Sequence, residues 1–221
     1  MQLLWSTKGT FQNGDMELNE NIIPIAYYPG TGGHFLCHFL VNAKHKKQLH
    51  VRLSETNHSH YGLKDLPLDS DFKGHSDEHI INAVNKVIPF LYAKKPYFFP
   101  AHITSAKLIN ENFKRSIKIV YELDDIKEIA TIYYKKFYLS SENTDKSKSL
   151  DHFINLAERS NCYNKKENNY PNILFLSWKE YFKGNTENFV EKLSLYTGIQ
   201  KENFFVDSLL YWRKKTYECL E

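Results

Sequence analysis

Apolar residues fall along this chain in short unbroken runs, separated by segments in which they recur at helical spacing. Ile22–Tyr28, Tyr97–Ala101, Ile117–Glu122 and Ile173–Ser177 are runs of the first kind and read as buried strands. Gly33–Lys44 and Ile126–Leu139 are segments of the second kind. In the latter, Ile126, Ile129, Ala130, Tyr133, Tyr134 and Phe137 share one face at a period of 3.6. Ser76 is a plausible N-cap, with Asp77 and Glu78 in the first turn, and predicts a helix over Glu78–Ala93. A short helix is expected from Thr104, and two helices close the chain, the first over Asn188–Thr197 and ended by Gly198. Strands alternating with helices imply a parallel sheet covered on both faces, an α/β domain of three αβα layers.

Polar stretches punctuate this pattern. Residues 1–20 read as a hairpin or edge element around Asn13-Gly14-Asp15, and His50–Leu53 as a short strand. Residues 54–75, broken by Gly62, Pro67 and Gly74, predict a surface loop of the kind that often covers a substrate. Ser140–Ser149 and Asn161–Tyr170 are polar connections too short to separate domains. The whole chain, 1–221, is therefore expected to be one domain, and it contains no internal repeat.

Composition narrows the function without naming it. A net charge of +3 on 221 residues offers no bulk electrostatic drive toward nucleic acid or a membrane surface. No apolar run approaches the roughly 20 residues of a membrane span, and no signal pattern opens the sequence. Three cysteines, Cys37, Cys162 and Cys219, are too few and too uneven for a disulfide framework, so a cytoplasmic, reducing setting is expected. His58, His60, His75 and His79 are close in sequence but lack the ligand spacings of a zinc site, and no metal is expected.

The densest chemical signal is the passage from Ile22 to Leu40. An apolar strand breaks at Pro29, runs through Gly30, Thr31, Gly32 and Gly33, and enters a helix at His34. Small residues there let peptide N–H groups approach an anion, and the helix start adds unpaired donors and partial positive charge. The plainer alternative is a tight turn of any α/β domain. A nucleoside triphosphatase loop would need Lys-Ser/Thr where His34-Phe35 stand, and a dinucleotide fingerprint would need glycine at position 35.

This segment resembles the 5′-phosphosulfate loop of sulfotransferases that use 3′-phosphoadenosine 5′-phosphosulfate, typically Pro-Lys-Ser-Gly-Thr-Thr-Trp-Leu. Pro29, Gly32 and Leu36 match it, with Thr31 standing for serine and Phe35 for tryptophan. Three further segments follow in the family's order. Tyr97–His102 resembles the strand that delivers the catalytic histidine. Ile117–Asp125 with Ile129–Tyr134 resembles the strand and helix of the 3′-phosphate site, and Ile173–Glu180 the late strand that ends in Tyr-Glu-Asp.

The resemblance implies a P-loop-like, sulfotransferase-type architecture over about residues 22–200. It also implies sulfuryl transfer from the phosphosulfate donor to a hydroxyl or amine of a small-molecule or carbohydrate acceptor, by a monomer or homodimer. His102 would be the base, and His34 would assist at the transferred group. Gly30, Thr31, Gly32, Gly33 and His34 would hold the donor's phosphosulfate, and Trp178 would lie near its adenine. Where the family has an arginine and a serine on the 3′-phosphate, this chain has Asp124 and Ile132. The loop lysine is replaced by Gly30. Arg213 and Lys214 are the nominated cationic replacements. The alternative that these departures suggest is a relative without catalysis that binds a nucleotide or a protein partner.

Overall fold

The computed structural model describes residues 22–46, 77, 78, 81, 97–139, 146–160 and 170–221. The expected hairpin at 1–20, the strand at 50–53, the loop at 54–75, the four clustered histidines, most of the 78–93 helix and most of both polar connections lie outside them.

Among the described residues, four strands form one all-parallel sheet: β1 (Ile22–Ala26), β2 (Tyr97–Ala101), β3 (Ser116–Val120) and β4 (Ile173–Ser177), in the order β2-β1-β3-β4. β1 pairs with β2 along its full length, from Ile22 opposite Tyr97 to Ala26 opposite Ala101. β3 is offset, with Ala26 opposite Lys118, so β3 runs on past the end of β1. β2 and β4 coincide with their apolar runs, whereas β1 is two residues shorter and β3 starts one residue earlier and ends two earlier. Tyr27 and Tyr28 leave the sheet although they stay buried.

Among the described residues, the helices with full bounds are α1 (Gly33–His45), α2 (Ala106–Asn112), α3 (Ile126–Tyr133), α4 (Leu150–Glu158), α5 (Trp178–Lys183), α6 (Thr186–Thr197) and α7 (Val206–Tyr217). Residues 77, 78 and 81 are also helical. Strand alternation divides the core as the period of two requires. Ile23, Ile25, Phe98, Ile117, Ile119 and Leu176 pack with α1 and with α5–α7. Ile22, Ala26, Ala101 and Ile173 pack on the opposite face with α2 and Ile81. Both faces of the parallel sheet are thus covered, in keeping with three αβα layers.

Two elements depart from the pattern reading. The helix expected over 126–139 is α-helical only to Tyr133 and continues as a π-helical turn, Tyr134–Tyr138. α4 was not anticipated from the sequence. It buries only Phe153 and Ala157, a narrow apolar stripe directly after a polar connection. Among the described residues no helix is long and apolar enough to cross a membrane.

Candidate functional site

The strand order determines where chemistry can gather. From β1 the chain passes to β2 on one flank, then crosses back to β3 on the other, so its direction reverses between β1 and β3. Open α/β sheets bind ligands at the carboxyl ends of strands at such a reversal. Here the loop Tyr28–Gly32 stands on that edge.

Its shape follows from its residues. The Thr31 N–H donates to the Tyr28 carbonyl at 3.1 Å, closing a turn with proline second and glycine third. Gly30 takes φ 91°, which that third position of a type II turn requires. α1 then starts at Gly33, whose first-turn N–H groups have no carbonyl of their own helix to bond.

Aromatic rings back the loop closely. A β-carbon on Gly33 would lie 2.1 Å from Tyr27 Cγ, and one on Gly32 would lie 2.3 Å from the Trp212 ring. The Tyr181 hydroxyl donates to the Gly32 carbonyl at 3.0 Å. The small residues therefore admit rings from behind, whatever occupies the front. The Thr31 side chain is turned inward. It is fully buried, and its hydroxyl donates to the Tyr28 carbonyl at 2.6 Å, which takes it away from the anion-binding role expected of it.

The two candidate histidines do come together. His102 follows β2 and His34 opens α1, and their ring centroids are 6.3 Å apart. Between them stands Tyr27, edge-on to His34 at 5.4 Å and tilted against His102 at 4.4 Å. Its hydroxyl lies 3.2 Å from His102 Nε2. Burial raises the Tyr27 phenol well above its ordinary value, with Cys37 and Tyr133 adding to the effect, so the hydroxyl keeps its proton. Burial likewise pushes the neighbouring Cys37 thiol up to about 12, and that thiol donates to the Phe98 carbonyl at 3.4 Å. Cys37 is therefore a core group with no nucleophilic character.

The segment carrying His102 is clamped on its far side. The Asp77 carboxylate accepts from the N–H of Thr104 at 3.0 Å and of Ser105 at 2.6 Å. Lys118, 1% exposed in the middle of β3, donates its ammonium to the Thr104 carbonyl. A lysine inside an Ile-Lys-Ile strand interrupts a core run with a charge, and holding this turn accounts for it.

The remaining nominated residues lie apart from the histidines. Trp178 is 0% exposed at the start of α5, against Phe182 at 4.8 Å, so it offers no face to an adenine. Arg213 spends its guanidinium on protein. Nε and Nη2 donate to the Tyr181 carbonyl, Nη2 also to that of Glu180, and Nη1 to the Gly184 carbonyl and Thr186 Oγ1. Those five donors are the full set of the fork, so Arg213 caps α5 and has none left for a phosphate. Lys214, next along α7, is exposed. Comparison with protein-family models and with curated proteins returns no match. The sulfotransferase resemblance therefore rests on this chain's own residues.

The positions that the resemblance assigns to a 3′-phosphate hold other groups. Ile132 is a core residue, 2% exposed. Asp124 is exposed in the turn after β3, between Glu122 and Asp125, which cap each other. Lys179 approaches Asp125 at 3.6 Å and Glu122 at 3.7 Å, and Asp125 above all raises its ammonium's proton affinity. The crevice itself is partly filled by Tyr28 and Tyr121, whose buried rings stand 5.9 Å apart.

Among the described residues, no group of three or more histidine, cysteine or carboxylate side chains is arranged to hold a metal. Tyr27, Tyr181 and Trp212 were missed by sequence reasoning. Tyr27 alone carried a signal, as a polar-tipped aromatic in phase with Ile23 and Ile25, at the end of the strand where α/β sites form.

Proposed function

We propose that this chain is a sulfotransferase-like group-transfer enzyme. The Gly30–His34 loop binds the sulfuryl or phosphoryl end of a donor, and His102 takes the proton of an acceptor hydroxyl or amine. The observation that supports this reading most is the meeting of His102 with His34 at the loop, two imidazoles at 6.3 Å from elements far apart in sequence. Sulfuryl transfer needs an electrostatic partner for the transferred group and a base for the attacking oxygen, and histidine serves both near neutral pH. The donor in this reading is 3′-phosphoadenosine 5′-phosphosulfate, and the acceptor is a small molecule or carbohydrate. The setting in this reading is cytoplasmic.

A second reading, a non-catalytic relative that binds a nucleotide or a partner, is favoured by one set of observations. Arg213 is used as a helix cap, Trp178 is in the core and Ile132 faces inward, so the nucleotide-holding positions have other employment.

Calorimetric titration with 3′-phosphoadenosine 5′-phosphate, ADP, ATP and inorganic sulfate, followed by turnover assays on wild type and His102→Ala, separates the two. The enzyme reading expects donor-product binding and a fall in turnover of about 10²–10⁴-fold in His102→Ala, with binding little changed. Binding with no turnover against any hydroxyl or amine acceptor selects the second reading. Absence of all binding overturns the enzyme reading and the nucleotide-binding form of the second.

A further inference from the structure

We infer that Tyr27 is the positioning residue for His102: it holds the imidazole with its proton on Nδ1 and Nε2 as the basic nitrogen. The inference rests on the transfer reading above for its purpose, and on geometry for its content. A buried phenol must give its proton to an acceptor. Tyr27 is 3% exposed, and among the described residues His102 Nε2 is the only hydrogen-bonding partner of its hydroxyl. The hydroxyl retains its proton, so it donates and Nε2 accepts. The imidazole's own proton is then on Nδ1, which is buried.

This arrangement suits a base at rest. At 3.2 Å the contact is longer than a strong hydrogen bond from a hydroxyl, so an incoming acceptor can take its place at the Nε2 lone pair at little cost. In the transfer step the acceptor O–H bond breaks and its proton passes to Nε2, while the acceptor oxygen bonds to the donor's sulfur, the bond from sulfur to the bridging phosphate oxygen breaks, and 3′-phosphoadenosine 5′-phosphate leaves with that electron pair. Nε2–H can then donate back to the Tyr27 oxygen, which stabilises the imidazolium it helped to create. Ring packing fixes Tyr27 itself. Gly33 leaves room for it, and His34 and His102 flank it.

The test is nitrogen-15 NMR of the full chain at a pH where the imidazole is neutral, with His102 assigned by comparison with His102→Ala. Wild type should show a protonated Nδ1 and a bare Nε2. Tyr27→Phe keeps the ring and should return His102 to the Nε2–H form that an unconstrained histidine prefers. A wild-type His102 protonated on Nε2 overturns the inference, and this measurement does not depend on any variant folding. An unchanged tautomer in folded Tyr27→Phe overturns it equally. Adding inorganic sulfate to the same samples reports on the loop through the His34 signals. A silent loop with the Nδ1–H tautomer intact speaks against the transfer reading while supporting the Tyr27–His102 pairing.

Discussion

Gly33 shows how one residue serves two purposes that the sequence cannot separate. Three glycines within Gly30–Gly33 read as an anion cradle, because small residues are what a backbone cradle needs. The structure gives two of them a second cause: the Tyr27 and Trp212 rings lie where the β-carbons of Gly33 and Gly32 would be. One ring belongs to a neighbouring residue and the other to the far end of the chain, and no local pattern connects Trp212 to the loop. Gly33→Ala would bring a methyl group to 2.1 Å from Tyr27 Cγ, in a ring that is buried and hydrogen-bonded to His102. Overpacking of this severity is expected to cost about 3 kcal/mol, the upper end of the usual range. Urea denaturation measures it, and a loss below about 0.5 kcal/mol, within the noise of an ordinary surface change, would mean that Tyr27 is free to move aside.

Among the elements, those with a broad apolar face were legible and those with a narrow one were not. α1, α3 and α6 bury wide stripes, and the four strands are nearly continuous apolar runs, so periodicity located all of them. α4 buries two residues and follows a polar connection, and its signal fell below that threshold. Trp178 illustrates the limit of the resemblance. The strand before it ends at Ser177 as the pattern reads, but Trp178, which the resemblance puts near an adenine, opens α5 and is buried in the core. That burial takes it from the rim, where an adenine would lie, to the interior. Arg213 is the counterpart at the other end of α5. A basic residue on a terminal helix looked available for a phosphate, but its whole fork is bound to carbonyls and a hydroxyl around the α5 C-terminus. Arg213→Lys keeps the charge and loses the fork geometry. It is expected to lower stability by about 2–3 kcal/mol, since hydrogen bonds from a charged donor are worth roughly 1.5–3 kcal/mol and several change together. Thermal denaturation reads that loss. Nucleotide affinity of the folded variant should stay within about twofold of wild type, that is, within about 0.4 kcal/mol. A large drop in affinity with stability unchanged would return Arg213 to the binding site.

At the scale of the whole molecule, the β2-β1-β3-β4 order sets the glycine loop, His34 and His102 on one side of the edge and the turn after β3 on the other. In the sulfotransferase reading the first group handles the transferred sulfuryl and the second should grip the 3′-phosphate. The second side is built for something else. Asp124 is exposed there, Glu122 and Asp125 cap their own turn, and Lys179 is drawn to both of those carboxylates. Ile132, where a serine would help, is in the core, and Arg213 is committed to α5. A phosphate would meet a carboxylate and no unengaged arginine among the described residues of this turn. The expected result is therefore that 3′-phosphoadenosine 5′-phosphate and adenosine 5′-phosphate bind this chain with dissociation constants within about fivefold of each other, about 1 kcal/mol. Asp124→Arg removes the repulsion and restores a donor fork at the family's position. One charge-assisted contact of about 1.5–3 kcal/mol corresponds to a preference for the 3′-phosphorylated nucleotide of roughly 10–100-fold. The pair of dissociation constants, measured by calorimetry on wild type and Asp124→Arg at a fixed moderate salt concentration, decides the matter. A hundredfold preference already present in wild type would mean that a clamp exists elsewhere in the chain. No gain in Asp124→Arg would mean that the nucleotide, if it binds, does not lie across β3 as it does in the family.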